Sequence, residues 1–191
     1  EDKDGAVEPG LAARAVAAVD ALLTEQPENP YFWELRGQIL FEEGRPTEAI
    51  GAHQRSVDLL PDAPLLRINL AHALIETHDR ALLDPAIAEL KRATALENDN
   101  TMAWRLMSQA YAAQGKEGEA RLASAEMYFA GGAEVQATQF ALRARDMLEP
   151  GTAEWTRAMD IVFASGATQQ DVDDVDRRNS RRDRGGVIPA G

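Results

Sequence analysis

The 191 residues include no cysteine, which removes disulfides, thiolate metal sites and cysteine nucleophiles together. The same absence leaves the compartment open, because cytosol and periplasm both accept cysteine-free chains. Long apolar runs are missing too. None approaches the roughly 18 residues of a membrane-spanning helix, so no direct membrane insertion is expected. The chain opens on Glu1, Asp2 and Asp4, where a secretory leader would carry a basic region. Positive charge is scarce: 20 Lys and Arg stand against 32 Asp and Glu, a net charge of −12. Neutralising phosphates takes clustered Lys and Arg, so nucleic acid is excluded as a partner and anionic membrane surfaces are disfavoured. Other proteins remain as the partner class.

What is present fits one globular domain, with 45% hydrophobic and 27% charged residues. The charge is uneven. Residues 166–191 hold five acids, Asp171, Asp173, Asp174, Asp176 and Asp183, and five arginines, Arg177, Arg178, Arg181, Arg182 and Arg184, which cancel. The acidic excess therefore lies on residues 1–165. This tail, polar with blocks of opposite charge, is expected to be disordered, as is the N-terminal segment 1–10.

A period of 34 residues organises the middle of the chain. Trp33, Gly37, Leu40, Gly44, Ala49 and Pro61 follow the spacing of the tetratricopeptide pattern, and Pro27 precedes Pro61 by one period. One period beyond Trp33 stands Arg67, followed by Leu70, Ala71 and Leu74 in the large, small and large places. The aromatic is missing from this second unit. Its second helix, marked by Ala86 and Ala93, comes three residues late, after a longer turn from His78 to Pro85. Trp104, Ser108, Tyr111, Gly115 and Ala120 restore the pattern in a third unit. Ala15, Val16, Val19, Leu22 and Pro27 fit the second helix of an earlier unit, and a half repeat implies further chain upstream of it.

The spacing thus predicts an all-α fold, an α-α superhelix of the tetratricopeptide (TPR) type with C-terminal capping helices. A half repeat over 11–28 precedes repeats over 30–63, 64–100 and 101–132, and a capping pair over 133–165 covers the last apolar face. Small residues at Gly37, Ala49, Ala71 and Ala86 let antiparallel helices approach closely, where large ones would push them apart. The stripe Leu35, Ile39, Leu40, Ile50, Val57 and Leu59 recurs at helical spacing and is expected to bury against neighbouring units. Asn29 before Pro30 and Asn100 before Thr101 read as helix caps. Gly44 and Gly115 stand where a first helix must end in a left-handed residue.

No catalytic motif emerges. His53, His72 and His78 lie in no HExxH arrangement, and the spacing of six between His72 and His78 is not the i, i+4 spacing of two ligands on one helical face. They read as surface or groove histidines, and no catalytic residue, metal or cofactor is expected. The concave surface presented by the first helices is the candidate site for another polypeptide. It comprises Tyr31, Glu34, Gln38 and Phe41 in the first repeat, then Leu65, Ile68, Asn69, His72 and Ile75 in the second, and Arg105 and Gln109 in the third. Tetratricopeptide clamps for a chaperone's C-terminal carboxylate place basic residues and asparagines on this surface, and here only Asn69 matches. Phe41, Leu65, Ile68 and Ile75 instead suggest an apolar strip for a helix or extended peptide, or for another domain of the same protein.

Three strings are more specific than the repeat: residues 29–41 (Asn-Pro-Tyr-Phe-Trp-Glu-Leu-Arg-Gly-Gln-Ile-Leu-Phe), the run from Pro61 to Arg67, and the run from Glu149 to Trp155. Through them the chain, over residues 11–162, resembles the C-terminal repeat region of BepA-like bacterial zinc metalloproteases, in which an HExxH peptidase domain precedes the repeats. The resemblance implies a regulatory, partner-recruiting module, periplasmic, concerned with quality control of outer-membrane protein assembly, and bound either to its own peptidase domain or to a client. The family's zinc ligands and catalytic glutamate have no counterpart in this sequence. A free-standing scaffold in an envelope or cytoplasmic assembly is the alternative.

Overall fold

The computed structural model describes residues 10–170, 172–174 and 177, and the expected N-terminal segment lies almost wholly outside them. Among the described residues there is no strand. The chain divides into two compact units, Glu1–Lys116 and Glu117–Gly191. The first holds α1 (Leu11–Glu25), α2 (Pro30–Glu42), α3 (Pro46–Leu59), α4 (Pro64–Glu76), a 3₁₀ turn (Arg80–Leu82), α5 (Leu83–Leu96) and α6 (Thr101–Gln114). The second holds α7 (Glu117–Ala130), α8 (Glu134–Arg145) and α9 (Ala153–Ala164).

Helix boundaries follow local chemistry. Proline opens α2, α3 and α4, where its missing N–H costs nothing. Asn29 Oδ1 accepts from the Tyr31 amide (3.1 Å) and Asn100 Oδ1 from the Ala103 amide (3.2 Å), so both expected caps are formed. Gly44 (φ 71°) and Gly115 (φ 80°) end α2 and α6 in the left-handed region. The residue after each glycine returns a hydrogen bond to the helix: Arg45 N–H to Leu40 (3.0 Å), Lys116 N–H to Tyr111 (2.9 Å). The long turn after α4 turns at His78 (φ 57°) and is held by Asp79, whose carboxylate accepts from the Ala81 amide (2.9 Å).

In the first unit each helix packs on the next in sequence, and α4 also packs on α2 and α6, so the three first helices form one layer. Ala49, Ala71 and Ala86 are completely buried, as close approach requires. Leu40, Ala49 and Ala73 form one core cluster against Val16, Phe41 and Ile50. Leu35 departs from the expected buried stripe: it is 42% exposed.

One hydrogen bond recurs at the head of each first helix. Trp33 Nε1 donates to the Pro27 carbonyl (2.8 Å) and Trp104 Nε1 to the Asn98 carbonyl (2.7 Å), each six residues upstream. In the second unit of the period, which lacks the aromatic, Arg67 Nε donates to Pro61 O at 2.7 Å, again six residues back. The guanidinium supplies the donor and its methylene stem the apolar body that the indole supplies elsewhere. Its other end pairs with Glu89 of α5.

In the second unit α7, α8 and α9 pack on one another. Ala125, Ala137, Ala141, Ile161 and Val162 are buried together, and Tyr128 stacks on Phe140 with centroids 5.2 Å apart. Val172 joins this cluster at 3% exposure, and residues 169–170 and 172–174 are helical. The start of the tail expected to be disordered is therefore anchored by one apolar side chain; most of its remainder lies outside the described residues.

Candidate functional site

Two of the predicted surface residues are not on the surface. Ile68 is 1% exposed and Ile75 3%, and both belong to the core of α4. Seven of that helix's residues, Leu66, Ile68, Leu70, Ala71, Ala73, Leu74 and Ile75, are buried, because α2, α3, α5 and α6 all pack against it. Four neighbours leave α4 little free surface, and a repeat-based choice of its outward face then fails. The apolar strip shrinks to Phe41 and Leu65. Leu65 is 61% exposed and Tyr31 63%, two large side chains left without cover on the layer of first helices.

Between α2 and α4 six of the remaining predicted residues converge on a pocket of about 370 Å³, with Tyr31 outside its lining. Glu34, Gln38 and Phe41 come from α2, and Leu65, Asn69 and His72 from α4. The sequence reading missed two further lining residues, Glu42 and His53. Arg105 and Gln109, on α6, do not line the pocket; the Gln109 amide donates to Glu76 Oε1 (3.3 Å), and the Arg105 guanidinium contacts Met102 Sδ (2.9 Å).

His53 is the buried end of a polar network. At 2% exposure it is a core residue of α3 rather than the surface or groove histidine expected. Its ring lies over Gly37, where a Cβ would come within 2.6–2.8 Å of three ring atoms, so the small residue at Gly37 makes room for the imidazole. Nδ1 is 3.0 Å from Glu34 Oε2, and the Asn69 amide donates to Glu34 Oε1 (2.6 Å). One carboxylate thus ties α2, α3 and α4 together. Gln38 Nε2 donates to Glu42 Oε1 (2.9 Å) at the rim. The signal for His53 was in the repeat: the pattern places an aromatic four residues after the small residue of the second helix, and Ala49 is followed at that interval by His53.

His72 closes the other wall. Its ring centroid is 4.6 Å from that of Phe41, and Nε2 lies 3.8 Å from Glu76 Oε1. Burial lowers its pKa below the ordinary 6.5; Glu76 works in the opposite direction, while Arg105 and His53 reinforce the lowering. His78 is exposed and apart from these groups. Among the described residues, no three His, Cys, Asp or Glu side chains are arranged to hold a metal ion, and no helix is long and apolar enough to cross a membrane.

The family model of the cytochrome c-type biogenesis protein H TPR domain matches residues 13–129. The chain belongs to this tetratricopeptide-repeat family. Among characterised relatives, the TPR chain is 30% identical over 136 residues to the β-barrel assembly-enhancing protease of Yersinia pestis, 71% of this chain but only 27% of that protein. It therefore spans about a quarter of the relative's length. A solved structure of MamA superposes with a TM-score of 0.62 at 18% identity, covering 91% of this chain and 93% of that one. A second MamA structure gives 0.61 at 17% identity over 96% and 91%. At such identities these two bear on the fold alone, and they agree with an all-α tetratricopeptide architecture. That architecture is typically non-catalytic and generally binds other proteins.

Proposed function

We propose that this tetratricopeptide domain is a protein-interaction module, without a catalytic role of its own, that recruits substrates or partners to a periplasmic zinc metalloprotease acting in outer-membrane protein quality control. The observation that carries the reading is the 30% identity to the β-barrel assembly-enhancing protease across 136 residues. The face on α2 and α4 supports it, with Tyr31 and Leu65 uncovered beside a polar pocket, the mixture of aromatic anchor and hydrogen-bonding groups typical of polypeptide recognition. A second reading, an adaptor within another bacterial envelope assembly, draws on the match of residues 13–129 to the cytochrome c biogenesis TPR domain.

Because the chain has no cysteine, a Leu65→Cys variant carries a unique thiol. Labelled with a benzophenone and irradiated in a bacterial envelope extract, it is expected to cross-link to an HExxH peptidase or an outer-membrane assembly protein, identified by mass spectrometry. Products confined to cytochrome c maturation proteins would favour the adaptor. If Leu65→Cys gives no more product than Glu25→Cys, at an exposed position ending α1, the face is not the one used.

A further inference from the structure

The pocket between α2 and α4 has an unusual hydrogen-bonding balance, and from it we infer that the pocket receives a basic side chain, arginine or lysine, of the polypeptide bound on this face. The inference rests on the reading that this face binds a polypeptide.

Both amides of the pocket donate to its own carboxylates. Asn69 turns its amide nitrogen to Glu34 (2.6 Å), and Gln38 turns its own to Glu42 (2.9 Å). A carboxylate only accepts, so in both amides the nitrogen must be the atom that faces it. This leaves Asn69 Oδ1 and Gln38 Oε1 without a partner among the described residues. His53 points Nδ1 at Glu34 (3.0 Å), and the proton at Nδ1 is donated to that carboxylate. That ring is 97% buried as a side chain, lines the pocket, and has no described partner for Nε2. The uncommitted groups are weighted toward acceptors, two amide oxygens and the spare lone pairs of Glu34 and Glu42, beside one further N–H on each amide and the His72 ring.

With two carboxylates in the lining, a ligand that donates and carries positive charge matches this set best. No Lys or Arg lines the pocket to compete. Arg105, the basic group closest in effect to His72, is engaged with Met102 and lies outside the lining. The Phe41 ring forms part of the wall and offers an aromatic face to an ammonium or guanidinium. A carboxylate or phosphate would face Glu34 and Glu42 with no Lys or Arg in the lining to offset them. Glu34, with its side chain 12% exposed, spends two of its lone pairs on the network, while Glu42 stands at the exposed rim. The first fixes the site, and the second supplies the approachable charge.

The probe is N-acetyl-argininamide, a single positive charge with no carboxylate, titrated into the ¹⁵N-labelled 191-residue chain. N-acetyl-citrullinamide serves as the neutral isostere. The side-chain amide signals of Asn69 and Gln38 and the imidazole signals of His53 and His72 are expected to shift saturably with the cation and not with citrulline. Glu42→Gln should weaken binding roughly threefold, the size of a partly exposed ion pair, while Glu43→Gln outside the pocket leaves it unchanged. Phe41→Leu, checked for unaltered helicity, should weaken it as well. Equal shifts with citrulline, shifts spread without saturation over other carboxylates, or a Glu42→Gln variant that binds like wild type would each overturn the inference. Cross-linking from Leu65→Cys separates the two levels: partner capture that persists without argininamide binding leaves the recruiting role standing and removes the basic side chain from the pocket.

Discussion

At the scale of single residues, the polar network stands where the repeat pattern calls for an aromatic. A buried imidazole is tolerated because Glu34 satisfies Nδ1 and Gly37 yields the space, two conditions set by residues 19 and 16 positions away. His72 is less completely served. Its lowered pKa comes from burial first, with Arg105 of α6 and His53 of α3 adding to it and Glu76 on its own helix opposing. The Phe41 ring of α2 packs alongside and contributes no charge. The unfolded chain takes up the proton near pH 6.5, before the folded state does, so folding loses stability as pH falls below that value and keeps the full contribution above it. Thermal unfolding should therefore decline between pH 7.5 and pH 5.5, and His72→Gln should flatten the decline. A variant as pH-sensitive as wild type would assign the dependence to other groups.

At the scale of elements, most of the fold was legible in the sequence because its determinants are local and periodic: prolines that open helices, asparagines that cap them, glycines that end them, and small residues at Ala49, Ala71 and Ala86 that set helix spacing. The site was less legible. Which way Ile68 and Ile75 face depends on how many helices surround α4, and Leu35 stays exposed for the same kind of reason; neither count is written in a single helix's pattern. His53 and Glu34 meet only once α2 and α3 have packed. The substitution of arginine for tryptophan at position 67 lies between these cases. The period marked the position, but only the structure shows the same hydrogen bond six residues back. Arg67→Ala removes that bond and leaves Glu89, 12% exposed, with Arg92 as its remaining partner, at a cost of about 1–3 kcal/mol. Arg67→Lys should recover only part of it, because one ammonium cannot serve both the Pro61 carbonyl and the Glu89 carboxylate in the guanidinium's fixed geometry. Arg67→Trp should restore the bond that Trp33 and Trp104 make while forgoing the ion pair. The measurement is the unfolding midpoint of each variant. A lysine variant indistinguishable from wild type would mean that the charge alone matters and that the recurring hydrogen bond does not.

At the scale of the whole molecule, charge is the property that no single helix carries. The excess of 12 negative charges, with the tail of residues 166–191 neutral in sum, gives the repeat region a field that extends over about a Debye length, near 10 Å at 0.1 M salt. Such a field does little for the affinity of an exposed contact but raises the rate at which a positively charged partner arrives. A basic side chain held in the pocket and a long-range acidic field make separable contributions, since the first acts mainly on dissociation and the second on association. With the partner captured through Leu65→Cys, the association rate should fall by about tenfold or more between 50 and 300 mM salt, while the dissociation rate changes much less. Glu42→Gln should do the reverse, speeding dissociation and leaving the salt dependence of association nearly intact, because it removes one charge of the many that make the field. An association rate indifferent to salt would show that the partner approaches through apolar contact at Tyr31 and Leu65, and that the acidic surplus keeps the molecule dispersed without steering anything toward it.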